Sequence, residues 1–359
     1  MPLFTEALEL LQQLIATPRT SRDEAAAAAI LRRHLTRSGI PYQAEANNTW
    51  CIAPGYDPAR PTLLLCAHID TVRPADSWTR DPFLPTLEGD RLYGLGANDD
   101  GASLVCLLQA FRHLADRAQP YNLVFLASAE EEVSGADGIS RVLPLLPAID
   151  VALVGEPTGM QPAVAEKGLM VLDVTEEGKA GHAARDEGIN ALYLALDDLQ
   201  RLRQHRFPHV SPLLGAVKAT ATVIKAGTQH NVVPDRCTFT IDVRSNECYT
   251  NRQLYEHFCQ LMHGRVEARS FRLNSSRIDP GHPLVRRALA LPPTPEGLPR
   301  QPFGSPTLSD QALLACPSLK MGPGDSRRSH TADEYICLAE LRHAIDDYIT
   351  LLDGLQLTK

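Results

Sequence analysis

The fold class this sequence predicts is α/β: a mixed sheet between helices, with a smaller α+β unit inserted into it. Three observations carry that expectation. In the first half, short all-apolar runs at 62–66, 122–127 and 151–154 alternate with helix-like segments, and uninterrupted apolar strands suit a sheet covered on both faces. Beyond about Glu166 the runs become half-polar, as in strands with one solvated face. Acidic and imidazole residues stand at the ends of the apolar runs, where open α/β sheets place their sites.

Each element follows in order. Residues 3–15 and 23–38 have helical composition, and Gly39 with Pro41 stops the second helix. Next come a buried strand at 62–66, a helix at 102–115 and further buried strands at 122–127 and 151–154. Half-exposed strands at 169–175, 216–225 and 237–244, with helices at 189–203 and 252–263, make a small sandwich with one open face. A proline-rich loop at 291–306 and a closing helix at 339–355 complete the chain. The catalytic unit is expected over 1–165 and 275–359, and the inserted lid or dimerisation unit over 166–274.

Composition narrows the function. With 359 residues, 44% apolar and 22% charged, the chain can bury one large core or two moderate ones. A net charge of −8 argues against nucleic acid and anionic membrane as partners. The start of the chain, 1–15, is amphipathic, contains Glu6 and Glu9 and has no basic start, unlike a signal peptide, and no apolar stretch reaches membrane-spanning length. Eight cysteines without CxxC spacing read as reduced, which suits a cytoplasmic protein.

The chemistry lies in five places. His68 and Asp70 follow the first buried strand, and in a His-x-Asp pair the carboxylate can accept from the ring nitrogen that does not bind metal. Gly94-x-Gly96-x-x-Asp99 opens a helix. It is a poor dinucleotide loop, because Asp99 replaces the third glycine and would repel a pyrophosphate. Glu130, Glu131 and Glu132 end the second strand, Glu156 lies in Gly155-Glu156-Pro157-Thr158, and His330 follows Gly322-Pro323-Gly324. Taken singly, these are a core histidine, a capped turn, a solvated acidic loop, a turn residue and a surface histidine. Together, at strand ends and in one order, they are the nitrogen and carboxylate ligands of a divalent ion, and a carboxylate shared by two ions is how a two-metal hydrolytic site is built.

The ordered set His-x-Asp, Gly-x-Gly-x-x-Asp, Glu-Glu, Gly-Glu-Pro-Thr, Gly-His, Asn-Val-x-Pro-Asp, Gly-Pro-Gly and a late His resembles the acetylornithine deacetylase and succinyl-diaminopimelate desuccinylase family of dizinc amidohydrolases. The likeness runs from the N-terminal helix to Glu334 and is strongest to members that deacetylate N-acetylornithine. It implies a zinc-aminopeptidase-like catalytic domain with two zinc ions, for which cobalt or manganese can substitute. It makes His68 and Glu156 ligands of one ion, Glu132 and His330 of the other, and Asp99 the bridge, with Asp70 supporting His68 and Glu131 as general base. The register follows from Glu131-Glu132-Val133-Ser134-Gly135, the best match to the family's Glu-Glu-x-x-Gly. It further implies that His182 reaches across a homodimer interface to stabilise the oxyanion. Asn231 and Arg244 contact the substrate amide and α-carboxylate, and Gly324 lines the substrate wall. The chain has Asp100-Gly101 where many members have Met-Lys or Asp-Lys. The implied substrate is a small N-acyl amino acid, first N-acetylornithine or N-succinylornithine, giving ornithine for arginine biosynthesis. Succinyl-diaminopimelate, acetyl-lysine, acetyl-citrulline and dipeptide or carboxypeptidase substrates are the alternatives. A catalytically silent binding protein would lack part of the set.

Overall fold

The structure is a computed structural model that describes residues 3–294 and 297–358. Met1, Pro2, Pro295, Glu296 and Lys359, which fall in the expected amphipathic start, proline-rich loop and domain end, lie outside the described residues. The chain divides into two compact units. One comprises Met1–Val164, Arg277–Phe303 and Ser309–Lys359, and the other Ala165–Ser276 with Gly304–Leu308. Those last five residues depart from the expected 275–359 segment. Gly304 packs so closely that a Cβ there would meet the Leu213 carbonyl oxygen at 2.6 Å.

In the first unit the sheet runs in the order Gln43–Glu45, Asn48–Ile52, Asn122–Ser128, Thr62–His68, Val151–Val154 and Ser318–Lys320. Thr62–His68 pairs in parallel with both of its neighbours, and Ser318–Lys320 pairs in parallel with Val151–Val154. His68 is level with Ser128, while Cys66 and Lys320 are both level with Val154, so the carboxyl ends of four strands open on one edge. Burial explains the apolar runs. Leu64, Cys66, Val124 and Leu126 pack with Trp50, Ile139 and Val142. Phe125 points to the other face and meets Phe111 of the helix Gly101–Ala115 at 6.0 Å between ring centroids. That helix, almost wholly buried, packs against Leu3–Ile15 and Leu338–Leu352.

The second unit has an antiparallel sheet in the order Lys218–Ala226, Arg236–Ser245, Gly168–Glu177 and Arg265–Ala268. Cys237, Phe239, Ile241 and Val243 alternate inward and share one core with Ala191, Ala195 and Leu202 of the helix Ala191–Gln204 and with Leu254 and Phe258 of Asn251–Leu261. The helices start where their caps dictate. The Asn190 side chain accepts from the Leu192 amide, and Thr250 with Gln253 forms a capping box. Lys218–Ala226 is an edge strand, exposed along most of its length.

The fully buried Leu64 side chain belongs to the first unit's core. Leu64→Ala is expected to lower unfolding free energy by about 3 kcal/mol, from lost transfer energy and the cavity left behind. Urea denaturation would show this as a reduced midpoint with an unchanged slope.

Candidate metal centre

The ligand-type side chains of the first unit meet at the carboxyl ends of its parallel strands. His68 ends its strand, and Glu131 and Glu132 lie in the single 3₁₀ turn Glu131–Val133 that follows Asn122–Ser128. Glu156 follows Val151–Val154, Asp99 precedes the helix Gly101–Ala115, and His330 lies in the loop beyond Ser318–Lys320. The Asp99–Asp100 peptide is cis.

Asp99 stands between the two imidazoles. Its Oδ1 is 3.1 Å from His68 Nε2, and its Oδ2 is 3.8 Å from His330 Nε2. His330 Nε2 is also 2.9 Å from Glu132 Oε2, and Glu131 Oε2 is 4.0 Å from His68 Nε2. Ligand atoms of His68, Glu131 and Glu156 lie within 4.8 Å of one another, and so do those of His68, Asp99 and Glu132. The ring orientation of His68 is set from behind. Its Nδ1 donates to the Asp70 carbonyl at 3.0 Å, nearer than the Asp70 carboxylate at 3.6 Å. That carboxylate is occupied elsewhere, accepting from the Glu131 and Glu132 amides at 3.1 and 3.2 Å and from Ser21 Oγ at 2.7 Å. Asp70 thus joins the His68 turn to the glutamate turn.

Electrostatics suit this cluster to a cation. Burial, with Glu156, Asp310 and Glu132 nearby, pushes the Glu131 carboxyl well above the usual range despite His68. Burial likewise pushes Glu156 up, aided by Asp99 and Asp100 and opposed by Lys320. Asp100 is pushed up to about 7, chiefly by burial. The hydrogen bond with Glu132 raises His330 to about 8. Carboxyls that cannot all ionise beside one another can do so around a divalent cation, whose charge inverts the local pKa logic. The donor set of imidazole nitrogen and carboxylate oxygen suits zinc and its neighbours.

The remaining expected site residues belong to the second unit, apart from Gly324. His182 lies on a two-stranded ribbon opposite Val232, and Ala183 donates to the Asn231 carbonyl at 3.0 Å, so His182 and Asn231 are neighbours. The Arg244 guanidinium is engaged by Asp242 at 2.8 and 3.2 Å. Gly324, in the first unit, abuts Asn98 beside Asp99; a Cβ there would meet Asn98 Oδ1 at 2.1 Å. Sequence reasoning overlooked Glu334 as a support. Its buried carboxylate accepts from the amides of Gly96, Asn98 and Asp99 at 3.1, 2.7 and 2.9 Å, so it holds the whole loop that presents Asp99. It also overlooked the buried Lys320 and Asp310 beside the glutamates.

Comparison with known families agrees with this geometry: the model of peptidase family M20/M25/M40 matches residues 64–353. The chain belongs to peptidase family M20/M25/M40. Among M20/M25/M40 relatives, the acetylornithine deacetylase of Proteus mirabilis is 28% identical over 94% of this chain and 93% of its own length. The succinyl-diaminopimelate desuccinylase of Xylella fastidiosa (strain M23) is 26% identical over 98% and 99%. A dinuclear metal-binding peptidase of Bacillus subtilis from the M20 family shares the fold, with a TM-score of 0.73 at 18% identity over 98% of this chain and 97% of that one. Membership makes the chain a hydrolytic enzyme acting on amides. Among the described residues, no helix is long and apolar enough to cross a membrane.

Because the hydrogen bond with Glu132 raises His330 to about 8, its imidazole carries a proton near pH 6.5 that a bound cation must displace, so Zn²⁺ added to metal-free protein at that pH is expected to release protons. A pH indicator in weak buffer would show the acidification. No pH change despite bound Zn²⁺ would contradict the shift.

Proposed function

We propose that this M20/M25/M40 enzyme is a two-metal amidohydrolase that removes the N-acyl group of an amino acid, with N-acetylornithine or N-succinylornithine as substrate and ornithine as product. The single observation behind the two-metal reading is Asp99, each of whose oxygens faces a different imidazole. His68 and Glu156 complete one ligand set and Glu132 and His330 the other. The substrate class draws its support from the relatives' names and from Arg244, whose forked guanidinium suits an α-carboxylate.

Two divalent ions held this way would lower the pKa of a water and polarise the amide carbonyl. Glu131 takes the proton of that water as the new C–O bond forms. The imidazole of His182 donates to the oxyanion that develops on the carbonyl. As the C–N bond breaks, Glu131 returns the proton to the amine nitrogen, leaving a carboxylic acid and a free amino acid. Asp70 keeps Glu131 aimed by accepting from its amide at 3.1 Å.

The working form in this proposal is a homodimer through the second unit, with His182 serving the partner's site. Support comes from the exposed edge strand Lys218–Ala226, where Val223 and Ile224 are 46% and 47% exposed; an uncovered edge of this length is a template for another strand. A cytoplasmic location in the pathway that makes ornithine for arginine synthesis suits the eight free cysteines.

Amine release from a panel of N-acetylornithine, N-succinylornithine, N-acetyl-lysine, N-acetylcitrulline, N-succinyl-diaminopimelate and dipeptides tests the substrate. Turnover confined to dipeptides would overturn the deacylase reading. Glu131→Gln is expected to keep two metal ions and lose turnover by on the order of 10² to 10⁴-fold. If Glu132→Gln retains both ions while Glu131→Gln loses one, the two roles are exchanged. Mixing Glu131→Gln with His182→Ala protein under subunit exchange is expected to restore one active site per heterodimer. Demonstrated exchange without recovered activity would place His182 outside the partner's site.

A further inference from the structure

Residues 19–24, between the first two helices, touch the His68 turn, the Asp99 loop and the glutamate turn, and none of that contact is used by the chemistry above. The segment runs beside the His68 turn. Thr20 bridges Thr71 in parallel, the Thr71 amide donates to the Arg19 carbonyl at 2.9 Å, and the Ser21 amide donates to the Thr71 carbonyl at 3.1 Å. Ser21 Oγ donates to Asp70 Oδ2 at 2.7 Å. Glu24, wholly buried, accepts from the Glu130 amide at 3.0 Å, just before the two site glutamates.

Arg19 makes the longest reach. Its side chain is only 1% exposed, and its guanidinium donates to the Ile69 carbonyl at 2.6 Å and to the Gly96 carbonyl at 2.8 Å. One planar group therefore ties the turn of His68 and Asp70 to the loop of Asp99. Gly96 has φ +73°, and a Cβ there would lie 2.4 Å from the guanidinium, so only glycine lets the loop close on Arg19. From the opposite side Glu334 holds the amides of Gly96, Asn98 and Asp99. The Asp99 loop is thus gripped on a carbonyl by a guanidinium and on three amides by a buried carboxyl group. Burial opposes the charge on Arg19, while Glu334, Asp70, Asp100 and Asp99 favour it. A buried guanidinium is costly unless such partners surround it.

We infer that Arg19, with Ser21 and Glu24, is a positioning element of the metal centre, setting the spacing between the His68 turn, the Asp99 loop and the glutamate turn. The inference rests on His68 and Asp99 being metal ligands, and it adds a residue that touches neither metal nor substrate. Arginine is required here because a single ammonium cannot reach two carbonyls in one plane.

The test compares Arg19→Met, Arg19→Lys, Ser21→Ala and Asp99→Asn with the unaltered chain. Zn²⁺ affinity is measured by chelator competition at low temperature on protein shown by circular dichroism to be folded. Arg19→Met is expected to bind Zn²⁺ about 10- to 100-fold more weakly, the usual effect of removing a group that orients ligands. Arg19→Lys should fall between the two, and Ser21→Ala should weaken binding several-fold. A purely structural role would lower the melting temperature and leave the affinity of folded protein unchanged; that result in Arg19→Met would overturn the inference. If Arg19→Met does not fold, unchanged affinity in both Arg19→Lys and Ser21→Ala overturns it instead. Full Zn²⁺ retention by Asp99→Asn would remove the metal assignment, and the positioning role with it, whereas loss in Asp99→Asn beside normal Arg19 variants would refute the positioning role alone.

Discussion

Crowded negative charge is the constraint on which the first unit depends. Asp70, Asp99, Asp100, Glu131, Glu132, Glu156, Asp310 and Glu334 crowd one end of a buried sheet, most of them buried themselves. Two like charges 4 Å apart repel by about 4 kcal/mol at an effective dielectric constant of 20. A few such pairs would consume the roughly 5–15 kcal/mol by which a domain is stable. The cluster therefore holds together through countercharge, hydrogen bonds and the raised proton affinity of Asp100, Glu131 and Glu156. Arg19 and Lys320 supply fixed positive charge from within, and the amides of Gly96, Asn98, Asp99, Glu131 and Glu132 supply oriented dipoles. What remains uncompensated is the affinity available to a divalent ion.

How far the sequence could be read follows from the kind of signal each residue sends. The ligand-type residues were legible because few side chains bind such ions and because each stands beside an apolar run. The long apolar strands and amphipathic helices were legible from their periods. The supports were not. Arg19 acts on carbonyls 50 and 77 positions away, and Glu334 acts on amides more than 230 positions away. A contact between a side chain and remote backbone leaves no mark on the partner's identity. Strands such as Asn48–Ile52 and Ser318–Lys320 escaped notice because their polar residues, Asn48, Thr49, Ser318 and Lys320, are buried and partnered rather than alternating with apolar ones. Helix starts drifted by two residues where Asn190 rather than the apolar pattern decided the boundary.

The second unit is built on the opposite plan. Its residues of interest are less enclosed, His182 and Asn231 on one exposed short ribbon and Arg244 half-buried on a central strand whose inward neighbours form the core. Arg244 is held by Asp242 rather than waiting free. Under the proposed role of Arg244, an incoming carboxylate would have to share or displace that partner.

The order of the clustered residues along the chain carries a consequence for biosynthesis. His68, Asp99, Glu131, Glu132 and Glu156 all precede the second unit, whereas Lys320, His330 and Glu334 follow it. On a ribosome, roughly 170 residues separate Glu156 from His330, a delay on the order of ten seconds or more. During that interval the nascent chain carries the acidic residues without the lysine, the imidazole and the carboxylate that complete their surroundings. The second unit is made while the first still lacks the strand Ser318–Lys320, so the acidic cluster gains its lysine and its second imidazole only after an entire neighbouring unit has been synthesised.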